Sequence, residues 1–203
     1  MIHVYAFVDE LERLPAVAGV GGAPLEVLSA AGLTAVAGRI DGRDDVDGHD
    51  AAVAHGVVVE ALLDSAGAVV PVRFGERFAD LTEFALATAE RAASLRASLD
   101  HVRGCAEIVV RIPTTAPAQA ATGTAYLHAR LADEQRVAEL GRRLHAFARA
   151  TAETRNGEVA YLVRRAEAAR ALRAAEAFAA EHPDLTVRCT GPWAPYSFAG
   201  GAA

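Results

Sequence analysis

Aromatic residues make up only 6% of this 203-residue chain, which has a single Trp and two Cys. Two cysteines make no disulfide framework, so both thiols are expected free in a reducing compartment. With few bulky anchors, any core has to be built from Val, Leu and Ala. Hydrophobic residues at 52% supply enough of them to exclude wholesale disorder. A basic excess is also missing, since 20 Lys and Arg face 26 Asp and Glu, a net charge of -6. Phosphate recognition needs a basic face, so no nucleic-acid partner is expected. The pairs Arg142–Arg143 and Arg164–Arg165 lie among acidic residues and read as solvated helix faces. No apolar run reaches the roughly 18 residues that span a bilayer. The start, Met1-Ile2-His3-Val4-Tyr5, lacks the basic and apolar regions of a signal peptide. A cytosolic protein with no membrane insertion is the expectation.

Motifs that carry chemistry are absent too. The seven histidines, His3, His49, His55, His101, His128, His145 and His182, form no His-Glu-x-x-His pair, and there is no Cys-x-x-Cys. There is neither a Gly-x-Ser-x-Gly elbow nor a Gly-x-x-x-x-Gly-Lys phosphate loop. The cluster Gly19-Val20-Gly21-Gly22 reads as a turn. A catalytic reading would start from His55, Glu60 and Arg73, but Glu60 lies five positions after His55 and so leaves its helix face. Such polar groups read better as helix-surface or interface residues. No catalytic residue, metal ligand or cofactor is expected, and the chain is not expected to be an enzyme.

The first half alternates strand and helix signals. Ile2–Val8 is a β-rich apolar run, and Leu25–Ser29 and Leu33–Ala37 read as two strands about an Ala30-Ala31-Gly32 turn. Acidic residues 41–50 read as an exposed loop in which Asp47 or Asp50 caps a helix over His49–Asp64. That helix offers a stripe of Ala54, Val57, Val58, Ala61 and Leu62. Ala68–Phe74 reads as a strand whose Pro71 marks an edge or bulge, because proline has no amide to give a ladder. Leu81–Val102 reads as one amphipathic helix with Leu81, Phe84, Thr88, Ala92, Leu95, Leu99 and Val102 facing inward.

After Gly104 the pattern becomes strand (Cys105–Ile112), an unanchored loop to Gly123, helix (Thr124–Thr151), hairpin about Asn156-Gly157, helix (Arg165–Glu181) and strand (Leu185–Cys189). Written as symbols this is β-α-β-β-α-β, the ferredoxin-like order, whose first and last strands are neighbours and would bring Cys105 toward Cys189. The fold class predicted is α+β with two domains: residues 1–103, a mixed α+β domain, and residues 104–203, a ferredoxin-like domain ending in an aromatic C-terminal tail.

Two segments resist a generic reading. In Val69-Val70-Pro71-Val72-Arg73-Phe74-Gly75 a strand ends in charge, aromatic and glycine, which makes Pro71, Arg73, Phe74 and Gly75 protein-interaction candidates. In Thr190-Gly191-Pro192-Trp193-Ala194-Pro195-Tyr196-Ser197-Phe198 the only Trp joins Tyr, Phe and two prolines. Trp193, Tyr196 and Phe198 are expected to pack on a neighbouring surface, of this chain or of a partner.

Together these segments resemble the gas vesicle protein GvpL/GvpF family. That family carries a Leu/Val-Pro-Val/Ile-Arg-Phe-Gly strand end, matched by Val70–Gly75, and a Thr-Gly-Pro-Trp-Pro-Pro-Tyr-Ser-Phe terminus, matched by Thr190–Phe198 with Ala194 for a proline. Val4–Phe7, Ala54-His55 before Val57–Glu60, Tyr126-Leu127 with Arg130, and Ala160–Val163 fit as well. Glu76-Arg77 departs from the family's small or aliphatic residues. The resemblance implies an accessory or minor structural protein of gas vesicles, located in the cytoplasm and on the vesicle. As partners it implies the hydrophobic shell subunit and other accessory proteins, bound during assembly. It brings no catalytic residues. The strand around Val69–Phe74 is the candidate edge for such a partner. Two other classes stand beside it: a small-molecule-binding enzyme on a ferredoxin-like scaffold, which needs a pocket with convergent titratable groups, and an RNA-binding sheet, for which Tyr161 is the only stacking aromatic on the strands concerned.

Overall fold

The computed structural model describes residues 1–41, 48–112, 122–154 and 158–200. Contacts divide the chain into two units: Met1–Cys105 together with Trp193–Ala203, and Ala106–Pro192. The last eleven residues, expected to extend the second domain, therefore group with the first unit.

The first unit is organised around β1 (Ile2–Asp9), whose first seven residues are buried. A strand buried on both faces has to be central. β1 pairs antiparallel with β3 (Leu33–Arg39) on one side and with β4 (Ala68–Pro71) and the two-residue β5 (Arg77–Phe78) on the other. β2 (Leu25–Ala30) closes the order β2-β3-β1-β4 through a hairpin whose turn residues Ala31 and Gly32 both have positive φ. The predicted strand Ala68–Phe74 is shorter than expected, because regular pairing stops at Pro71.

α1 (His49–Leu63) starts without a side-chain cap, since Gly48 is its N-cap and Asp50 lies inside the first turn. Asp47, the other predicted cap, is outside the described residues, as is most of the acidic loop. The buried face of α1 is Ala51, His55, Val58, Val59, Leu62 and Leu63, rotated from the predicted stripe, so Val57 is exposed and Ala54 half-buried. The predicted helix Leu81–Val102 is two helices, α2 (Leu81–Glu90) and α3 (Ala92–Val102). They break at Arg91, which is held by a 2.5 Å ion pair to Glu76. The inward stripe survives the break except at Leu81, which is exposed. Asp80 caps α2 by accepting from the Thr82 and Glu83 amides at 2.8 and 3.0 Å.

In the second unit the elements are β6 (Cys105–Arg111), α4 (Gly123–His145), β7 (Ala148–Glu153), β8 (Val159–Arg164), α5 (Arg165–Glu181) and β9 (Arg188–Trp193), with strand order β7-β8-β6-β9. α4 ends six residues before the predicted Thr151, because Ala148–Glu153 pairs antiparallel with β8. Sheet pairing there overrides the helix preference of its alanines. The final strand lies three residues later than predicted and takes in Thr190–Trp193. The Asn156-Gly157 turn and the loop 113–121 are outside the described residues. Ile108, Val110, Leu140, Leu144, Tyr161, Val163 and Phe178 form the core, together with the alanines of α5. Cys105 is buried, Cys189 is half-buried, and neither forms a disulfide.

Tyr5 explains two glycines. It falls at the register shift between Val4 and Ala6, and its hydroxyl accepts the buried Val20 amide at 2.8 Å. A Cβ on Gly19 would stand 2.2 Å from that hydroxyl, and one on Gly38 3.2 Å from it. Tyr5→Phe strands a buried donor, and Gly19→Ala forces the packed ring to move. Each is expected to cost about 1–3 kcal/mol in urea unfolding.

Candidate interaction surface

The strand-end segment begins where β4 stops. Pro71 is buried within β4, and the Val72 amide still donates to the Tyr5 carbonyl at 2.9 Å. Arg73 then turns outward and is exposed, Phe74 is half-buried against the core, and Gly75 is exposed with φ 95°. Phe74 meets the rings of His3 and His55 at centroid distances of 5.9 and 5.7 Å. β4 does lie at the end of the strand order, but all four of its residues are buried, with α1 and α3 packed on it. Its main chain is not open to an added strand. The open edge of this sheet is β2, where Val27 is exposed.

The tail is held by its small residues. Ala194 is fully buried and its amide donates to Glu60 Oε1 of α1 at 3.1 Å; Pro195 and Ala199 are buried too. Phe198 is half-buried, 6.3 Å from the His101 ring of α3. Trp193 and Tyr196, by contrast, are 44% and 41% exposed. Desolvation, and secondarily the Glu60 carboxylate, push the Tyr196 phenol above its ordinary range. Glu60 sits one helical turn from Val57 and two from Val53, both exposed. The tail is thus anchored on the same helix that exposes Val53 and Val57. The sequence reading missed that exposure because Val57 fitted an inward pattern equally well.

Nothing at these positions converges on catalysis. His55 is bound to Val72, Glu60 to Ala194, and Arg73 is exposed, so the three residues serve separate places. In the second unit Glu139, Glu181 and His182 come within metal-ligating reach, yet the Arg143 guanidinium already bonds both carboxylates at 2.5 and 2.7 Å. An open cavity of about 570 Å³ in that unit is lined by Arg142, His145, Thr151 and Tyr161 among others, and no carboxylate or thiol stands among the described residues of its lining. Burial, with Glu176 nearby, pushes the Cys189 thiol up to about 11.

The candidate surface is a set of exposed aromatic, aliphatic and cationic side chains on an α+β frame. The family model described as gas vesicle synthesis protein GvpL/GvpF matches residues 1–200, and the chain belongs to that family. It is 34% identical to gas vesicle protein F2 of Halobacterium salinarum over 213 residues, covering 97% of this chain and 91% of that one. The fold is similar to the crystal structure of GvpF from Anabaena, with a TM-score of 0.82 at 16% identity over 98% of this chain and 95% of that one. GvpF from Microcystis aeruginosa matches with a TM-score of 0.80 at 15% identity, over 98% of both chains.

Because a thiolate is the reacting species, Cys189 is expected to alkylate with iodoacetamide at pH 8 far more slowly than an ordinary thiol of pKa about 8.5. Mass spectrometry over a pH series should show its labelling rise only toward pH 11. Labelling at the rate of free cysteine would contradict the burial described above.

Proposed function

We propose that this chain is an accessory or minor structural protein of gas vesicles. It binds the hydrophobic shell subunit and other accessory proteins during assembly, in the cytoplasm and on the forming vesicle. The observation that carries the reading is the outward pair Trp193 and Tyr196 on a tail whose small residues are anchored. Exposed aromatics and exposed valines cost solubility unless a partner covers them. Strands that will face a gas space are themselves apolar and aggregate if unescorted, which gives such a partner its need. Arg73, Phe74 and Gly75, with Pro71 fixing where the strand stops, form the second contact of this proposal. The partner meets side chains there, since β4 is covered.

The element order of the second unit and its strand order β7-β8-β6-β9 support reading it as a ferredoxin-like domain. On that reading the chain has two domains, divided near residues 103–104, with the aromatic tail as an extension grouped with the first.

Co-purification with the shell subunit tests the proposal. Trp193→Ala with Tyr196→Ala, and separately Arg73→Glu, should each weaken binding tenfold or more, about 1.4 kcal/mol. Neither should shift Tm much, because the side chains changed are exposed. Undiminished capture by both variants would remove this assignment.

A further inference from the structure

Two histidines that the candidate surface does not use face one another in the first unit. His3 of β1 and His55 of α1 are 0% and 2% exposed, and His3 Nε2 lies 2.9 Å from His55 Nδ1. The other ring nitrogen of His55, Nε2, lies 3.0 Å from the carbonyl oxygen of Val72. A carbonyl only accepts, so His55 Nε2 carries the proton and donates. His55 Nδ1 is then the bare acceptor, and His3 Nε2 donates to it. This leaves His3 Nδ1 unprotonated, a buried atom with no hydrogen-bond partner. One directed chain results: His3 to His55 to the main chain at Val72, through two neutral rings.

A proton is costly in that chain, although His55 Nε2 would still donate to Val72. On His55 it would occupy Nδ1 and turn the shared bond round, so that His3 accepts at Nε2 and carries its own proton on the unpartnered Nδ1. On His3 it would charge a buried nitrogen that meets no acceptor. The groups around the pair offer no counter-charge: Tyr5 of β1 at centroid distances of 4.9 and 5.4 Å, Phe74 of the strand-end segment, and Arg77 of β5, itself a cation. Among the described residues no carboxylate acts on either ring.

We propose that the His3–His55–Val72 chain is an acid-opened latch, which seats the Val72–Gly75 segment while both rings are neutral and releases it when either is protonated. Val72 is where the latch ends, and Arg73, Phe74 and Gly75 follow it directly, with Phe74 resting on both rings. Burial, then His55 and Arg77, hold His3 down at about 4; burial lowers His55 also, against the opposing bond to Val72. Unfolded histidine takes its proton near 6.5. The latch's stabilisation is therefore complete above about pH 6.5 and is lost as pH falls toward about 4. This device is independent of what the segment binds.

Nitrogen-15 NMR of the full chain at pH 7.5 should find both rings as neutral Nε2–H tautomers. Hydrogen exchange from pH 7.5 to 4.5, corrected for intrinsic rates, should show residues 72–78 losing about tenfold protection before the β2–β3 hairpin loses any. His55→Gln, whose amide can donate to Val72 without titrating, should flatten that dependence, and His3→Gln serves as the second variant. An Nδ1–H tautomer at His55, or protection lost across the whole first unit at once, overturns the latch. So does an unchanged pH profile in a folded Gln variant. The tautomer and wild-type exchange measurements decide the matter even where a variant does not fold.

Discussion

Everything in the first unit hangs on the burial of β1. Seven successive buried residues leave this strand no solvent face, so each face must be covered and each edge paired. Phe7 looks toward Phe84 of α2, with centroids 6.4 Å apart, while Tyr5 looks toward the core shared by α1 and Ala194. The two candidate contact segments are thereby tied to one strand: Val72 bonds to Tyr5 directly, and the tail closes over the core that Tyr5 helps to build. The second unit is held differently. Among the described residues its alanine-rich helices bury Leu140, Leu144 and Phe178 with the small Ala168, Ala171 and Ala175. The ion pairs of Arg143 with Glu139 and Glu181, and of Arg136 with Asp133 and Asp184, are largely solvent-facing and contribute little each.

Much of this order was legible in the chain, and the failures have particular causes. Strong β-branched runs and glycine stops marked β1, β2, β3 and β6 to within two residues, and α5 from Arg165 to Glu181 was read without error. Errors fell where local preference conflicted with pairing. Ala148–Glu153 has a helix-forming composition yet becomes a strand, because β8 offers a partner. β5 is two residues long and exists only through its pairing with Ile2 and His3, so no local pattern could announce it. The rotation of α1 was hidden because valine occurs at 53, 57, 58 and 59, which leaves the apolar direction of the helix nearly undefined.

The candidate surface was legible in position and not in orientation. Composition marked the segments Val70–Gly75 and Thr190–Phe198 as unusual, but it cannot say which side of a segment faces the protein. In the tail the small residues face in and two of the aromatics face out, the reverse of what bulk alone suggests. His55 reads from its neighbours as a surface or interface group, yet it is buried and its ring bonds the Val72 carbonyl, 17 residues away. A lone histidine on an apolar helix face carries no trace of that partner in its neighbours.

Those contacts share one logic. Tyr5 accepts the Val20 amide, His55 donates to the Val72 carbonyl, and Glu60 accepts the Ala194 amide. In each case a buried or half-buried polar side chain of a regular element captures a main-chain group of an irregular segment. Buried polar groups need partners, and loop main chain needs partners where no ladder supplies them, so one bond answers both demands. The consequence is local order. A segment pinned by its backbone keeps its side chains outside the core, and Arg73, Trp193 and Tyr196 follow or flank such pins and are exposed. The pins fix where those side chains stand, because a captured main-chain group cannot move away without giving up its buried bond.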